Sequence, residues 1–139
     1  MAQLSTHVLL FSFISIGSLV SVSEGGIERF KYNHIYIKNG LGQGTPLTIH
    51  CKSRDDDLGV HVLNYDEEWK FQFQINFRQS TLFFCGFTWD GKLHWFDIYD
   101  WCRDKSVCMP DCKWSITKEN PCLYDNDTQQ YDLCYYGYH

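Results

Sequence analysis

Most sequence features that would announce a chemistry are missing from this chain. After Val20 there is no second long apolar run, so nothing beyond the N-terminal region reads as a membrane span. There is no basic run either, and a formal net charge of −5 with a pI near 5.6 argues against nucleic acid as a partner. No G-x-S-x-G nucleophile elbow occurs. The acidic residues fall in turn-like stretches, with no spacing that brings two carboxylates together for acid–base work. The glycine-rich stretch Asn39–Gly44 lacks the lysine and following helix that a phosphate loop requires. No stretch carries an amphipathic helical period, which leaves strands as the building material. No catalytic residue, cofactor or metal is expected.

One further absence is informative. Residues 1–23 contain no Asp, Glu, Lys or Arg, and Val8–Val20 is a continuous apolar run too short to cross a bilayer. That run suits the core of a signal peptide, with Ser21 and Ser23 flanking Val22 and cleavage expected after Ser23; an N-terminal anchor is the alternative. The expected organisation is a signal peptide over residues 1–23 and one domain over residues 24–139, secreted, extracellular and not membrane-embedded.

What the chain does have is cysteine and aromatic side chains. All seven cysteines lie after the signal peptide, which in an oxidising compartment reads as a disulfide framework with one thiol left over. Cys122 and Cys134 flank the Asp125–Thr128 turn almost symmetrically, so a bridge across that hairpin is expected. The favoured partners for the rest are Cys85 with Cys108 and Cys51 with Cys112, leaving Cys102 unpaired. The C-x-x-x-C spacing of Cys108 and Cys112 is read as part of this framework rather than as zinc ligation, which needs four ligands at recognisable spacing.

The strand signals are strongest over Trp69–Tyr99. Trp69–Phe77 alternates apolar and polar residues, Ser80–Trp89 is apolar on both faces, and Asp90-Gly91 marks a hairpin into Lys92–Tyr99. These predict a three-stranded meander. Phe71, Phe73, Ile75, Leu82 and Phe84 form its core face. Phe83, Cys85, Phe87, Phe96 and Ile98 form a second face, capped by the Asp100–Asp111 loop or offered to a partner. Shorter alternating strands are expected at His34–Lys38, Leu47–Lys52, Leu58–Leu63 and Cys112–Thr117, with Val60 and Val62 inward, and a final strand at Gln130–Tyr136 rests on strand preference with weak alternation. In that register His50 stands beside His61, an arrangement open to metal binding or pH sensing but read as two solvated strand residues. The Asp55–Asp57 run is likewise read as a solvated turn, without the regular ligand spacing of a calcium loop. About eight strands with frequent turns make an all-β, antiparallel β-sandwich stabilised by disulfides. Asn126-Asp127-Thr128 is an N-glycosylation sequon in an expected surface turn.

Taken in order, IHCKSRDDDLGVHVL, WKFQF, LFFCGFTWDGKLHWFDIY, CMPDCKWSI, NPCLYD and YDLCYY resemble the plant self-incompatibility S-protein family over most of residues 34–136. The resemblance implies a small secreted glycoprotein with a β-sandwich fold. Its conserved cysteines correspond to Cys51, Cys85, Cys108 and Cys112, with Cys122 and Cys134 as a further pair; Cys102 departs from the pattern. It implies a non-enzymatic ligand that meets a plasma-membrane receptor on a target cell, as in pollen–stigma signalling, through surface loops. By position, those loops carry Asp55, Asp56, Asp57, Asp66, Glu67, Asp90, Arg103, Asp104 and Lys105 as receptor-contact candidates. The alternative reading is a carbohydrate- or cell-wall-binding module that stacks glycans on exposed aromatics such as Trp89 and Trp95.

Overall fold

A computed structural model describes residues 32–76 and 78–139. The expected signal peptide and its cleavage point lie outside these described residues, as does Phe77. Among the described residues there are nine strands: β1 (Asn33–Asn39), β2 (Leu47–Lys52), β3 (Asp57–Leu63), β4 (Glu68–Phe73), β5 (Leu82–Trp89), β6 (Lys92–Asp100), β7 (Asp111–Ile116), β8 (Pro121–Asp125) and β9 (Gln130–Cys134). One helical turn, α1 (Trp101–Asp104), follows β6. Pro121 opens β8, a position where the missing N–H is tolerated.

The strands form two sheets, ordered β4-β1-β7-β8-β9 and β3-β2-β5-β6. All neighbours are antiparallel except β1 and β7, which run parallel. The sandwich is therefore as expected, but the meander is not. β5 and β6 form the anticipated hairpin about Asp90 and Gly91, both at positive φ. β4 pairs with β1 in the other sheet, and the place beside β5 is taken by β2. Alternation specifies which face of a strand is buried but not which strand it pairs with, and a sandwich can send consecutive strands to either sheet. The crossing from β4 to β5 is held by Asn76, whose side chain accepts from Ser80 N–H while its own N–H donates to Thr81 Oγ1.

Moving β4 across changes which face of β5 is core. Phe83, Cys85 and Phe87 point inward and are buried, packed with Phe96 and Ile98 of β6 against the other sheet. Phe71 and Phe73 still face the core, from the opposite layer, where Phe73 meets Phe83 and Tyr99 with ring centres 4.9 Å apart. Leu82, expected in the core, is exposed, and Phe84 is half-buried on the outer face. The Asp100–Asp111 loop is thus not the cap of the second face; the five-stranded sheet is. Ile35, Ile37, Leu47, Ile49, Trp114, Ile116 and Leu123 complete a core in which each fully buried aliphatic or aromatic side chain is worth roughly 1.5–3 kcal/mol.

β3 also sits one residue away from the expected register. Ile49 lies opposite His61 and His50 opposite Val60, so Val60 and Val62 point outward and His61 inward. The two imidazoles are on opposite faces. His61 stacks on Trp69 of β4 at 4.1 Å, bridging the neighbouring edges of the two sheets. At the opposite edge the C-terminal tail covers β6. His139 and Trp95 exchange backbone hydrogen bonds of 3.0 and 2.8 Å, and Tyr138 meets Trp89 edge-on while donating its hydroxyl to Thr117 O.

The disulfides follow the sheets. Cys51 faces Cys85 across β2 and β5 and is bonded to it, in place of the expected Cys51–Cys112 and Cys85–Cys108 pairs. Cys108 and Cys112 are bonded to each other, closing the loop that leads into β7. Cys122 and Cys134 are bonded across β8 and β9, and Cys102 is a free, exposed thiol.

Candidate recognition surface

The loop residues singled out above do not form one site. The strand registers put the β1–β2, β3–β4 and β5–β6 connections at one end of the sandwich, and with them Asp66, Glu67 and Asp90. Asp55, Asp56, Asp57, Arg103, Asp104 and Lys105 lie toward the opposite end. Local bonding restrains both groups. Buried Asn39 donates to Thr45 O and Leu63 O and accepts from Leu41 N–H, fixing the glycine-rich turn to the end of β3. The Gly59 N–H and the His50 ring, 2.7 Å away, hold the Asp57 carboxyl below its usual pKa.

Asp104 is not a contact residue. It is 0% exposed, and its carboxylate takes both Arg103 Nε and Nη2 at 2.7 Å and the Asp100 N–H at 2.9 Å. The Arg103 guanidinium also donates to Asp97 O. It lies 5.0 Å from the ring centre of Phe96, 5.3 Å from Trp114 and 5.1 Å from Tyr135. Burial alone lowers the pKa of this guanidinium, but the bonds to Asp104 outweigh it and the net shift is upward. The pair locks α1 onto both sheets, so of these three loop residues only Lys105, over the Trp101 ring at 4.0 Å, is free at the surface. Next to the pair, burial together with Asp104 and Asp100 pushes the Tyr99 hydroxyl up to about 12.

The surface that sequence reasoning missed is the outer face of the four-stranded sheet. Its side chains line up in rows across all four strands: Val62, Thr48, Thr88 and Leu93 in one, Val60, His50, Gly86 and Trp95 in the next. Val60, Val62 and Leu93 are 60%, 61% and 56% exposed, and Trp95 is 39% exposed. Gly86 leaves the space that Leu93 and Trp95 fill over β5. A Cβ there would stand 3.0 Å from Leu93 Cδ1 and 3.4 Å from the Trp95 ring. The signal was present in the sequence, since Leu58–Leu63 alternates, but its phase depends on the β2 pairing. Trp89, paired with Trp95 in the carbohydrate reading, is 7% exposed and stacked on His94 at 3.7 Å, so it offers no platform.

Two His–Asp pairs stand at the surface, His34–Asp111 at 3.1 Å and His50–Asp57 at 2.7 Å. Neither ring is hydrogen-bonded to a hydroxyl or thiol among the described residues. No group of three potential metal ligands occurs among the described residues, and no described helix is long and apolar enough to cross a membrane.

The sequence profile of the family described as plant self-incompatibility protein S1 matches residues 34–136, from β1 to just beyond β9. The chain belongs to that family. Among its S-protein relatives, S-protein homolog 5 of Arabidopsis thaliana is 45% identical over 83% of this chain and 86% of that protein. S-protein homolog 2 of the same plant is 44% identical over 73% of this chain and 65% of the relative. A solved structure of SPH (Self-Incompatibility Protein Homologue) proteins, described as "a widespread family of small, highly stable, secreted proteins from plants", aligns with TM-score 0.53 and 22% identity. It covers 68% of this chain and 84% of the other, and shows the same fold. In this S-protein family member the matched span contains all six bonded cysteines and both rows of the exposed sheet face.

Proposed function

We propose that this protein is a secreted, non-enzymatic ligand that docks on a plasma-membrane receptor of a target cell through the outer face of its four-stranded sheet. The observation that carries the reading is a pair of exposed apolar clusters on the two edge strands of that face, Val60 and Val62 on β3 and Leu93 and Trp95 on β6, flanking Thr48, His50, Thr88 and Gly86 on a disulfide-locked scaffold. Exposed apolar side chains held on a rigid sheet with polar groups between them are typical of a protein–protein interface, where an aromatic anchor such as Trp95 contributes most once desolvated. The acidic turn carrying Asp55, Asp56 and Asp57 borders the patch and supplies a charged rim that steers encounter and partner choice. Secretion is supported by three disulfides, which persist in oxidising compartments, and by the uncharged apolar segment that we assign as a signal peptide cleaved after Ser23. Asn126 is exposed in the β8–β9 turn, and we assign it as a glycosylation site.

The test is binding of labelled protein to intact candidate target cells. The expected result is saturable binding that the Val62→Asp/Leu93→Asp variant loses by tenfold or more while its melting temperature is retained. Saturable binding that survives this substitution would remove the sheet face from the interface.

A further inference from the structure

The outer face of the five-stranded sheet has a different chemistry, and nothing in the receptor reading uses it. Tyr36 of β1 lies opposite Lys70 of β4 on one side and Lys113 of β7 on the other. Both ammonium groups stand 5.6 Å from its ring centre. Lys113 also stands 5.5 Å from the ring of Tyr124 on β8, which meets Tyr131 of β9 edge-on at 5.1 Å. Lys38 lies 5.0 Å over Tyr131. Cations and phenol rings therefore alternate from β4 to β8, and a second ring, Tyr131, follows on β9.

The charges around this row divide into paired and unpaired. Lys38 is held by Asp66 at 3.5 Å and Asp111 by His34 at 3.1 Å, while Glu68 points outward two residues from Lys70. Lys70 and Lys113 have no carboxylate within ion-pair distance among the described residues. A chain of net charge −5 thus keeps two uncompensated ammonium groups on either side of one aromatic ring. Adjacent strands are about 4.7–4.9 Å apart, so the two lysines arise from strands roughly 10 Å apart, a span that successive units of an extended ligand can cover.

We propose that this face binds a linear acidic glycan, a chain of uronic-acid units, with sugar faces on Tyr36 and Tyr124 and carboxylates on Lys70 and Lys113. A pyranose ring presents apolar C–H groups that suit the flat face of a phenol, and its carboxylate supplies the counter-charge the lysines lack. The adjoining cleft, about 380 Å³, shares Lys113 and Tyr124 with this row, but Asp111, Asp125 and Asp127 line the rest of it and give that side the wrong sign for such a ligand. The glycan therefore runs from Tyr124 over Tyr36 toward β4.

Calorimetric titration of the full secreted protein with oligogalacturonate, a neutral galactan oligomer of equal length and polyglutamate tests this. Oligogalacturonate is expected to bind at least tenfold more tightly than either control. Lys70→Gln/Lys113→Gln is expected to weaken it about tenfold, as the loss of two exposed charge pairs implies, and Tyr36→Leu by a similar factor, with melting temperatures retained. Equal binding of polyglutamate would reduce the effect to ion exchange, and absence of binding at low salt or indifference to the lysine substitutions would overturn the proposal. Binding to target cells is expected to be unaffected by these substitutions, so failure here leaves the receptor reading intact.

Discussion

Replacing Asp104 by Asn removes the charge that holds Arg103 in its aromatic box while keeping the side-chain shape. In the native fold the carboxylate is fully buried and accepts two hydrogen bonds from the guanidinium and one from the Asp100 N–H. After substitution an amide N–H₂ or a single oxygen must face a cation that still sits among Phe96, Trp114 and Tyr135. Breaking a buried pair from one side costs about 3–5 kcal/mol. Arg103 keeps its bond to Asp97 O, its three ring faces and 24% side-chain exposure, which places the loss at the low end, about 3 kcal/mol. In a domain of this size that lowers the melting temperature by roughly 10–20 °C. The assay is thermal and denaturant unfolding at neutral pH with disulfides intact, on Asp104→Asn, Arg103→Met and the double variant. Replacing both partners with uncharged groups abolishes the uncompensated charge, so the double variant is expected to be less destabilised than the sum of the singles by 0.5–3 kcal/mol. A loss within about 0.5 kcal/mol of the parent for Asp104→Asn would refute the reasoning, because that is what an ordinary surface site gives.

The bridges differ in reach, with sequence separations of 34 for Cys51–Cys85 and 4 for Cys108–Cys112. Chain-entropy arguments make the first worth about 3.8 kcal/mol and the second about 1.9 kcal/mol, so the Cys51→Ser/Cys85→Ser variant is expected to melt well below Cys108→Ser/Cys112→Ser; the reverse order would count against the assigned pairing. Alkaline pH gives a third expectation. Burial raises Tyr99 to about 12 and shifts Tyr138 upward as well, so the folded state holds these protons where the unfolded chain has released them. Their contribution is complete below pH 10 and falls as pH rises from 10 through 12, and spectrophotometric titration should show a tyrosine class that ionises only with unfolding.

How far the chain could be read in advance depended on the range of the interaction. The Asp90-Gly91 hairpin and the Cys122–Cys134 bridge involve neighbours in sequence, and turn chemistry with residue spacing is enough for them. The Cys51–Cys85 bridge depends on β2 lying beside β5, a pairing between strands 34 residues apart that no local signal encodes. Arg103 and Asp104 read as an exposed charged loop because their aromatic box is assembled from β6, β7 and the C-terminal tail.

By itself the sequence determined the class of fold, the presence of disulfides with one cysteine left over, and the family, since alternation, cysteine content and motif order are local properties carried along the chain. Only the tertiary structure decided which face of each strand is core. One strand, β4, chose β1 over β5, and that choice turned Phe83 and Phe87 inward. A one-residue difference in register turned Val60 and Val62 out to water. Because side chains alternate with a period of two, a change of partner or a slip of one residue inverts an entire face. The exposed outer face of the four-stranded sheet is the product of those two long-range pairings.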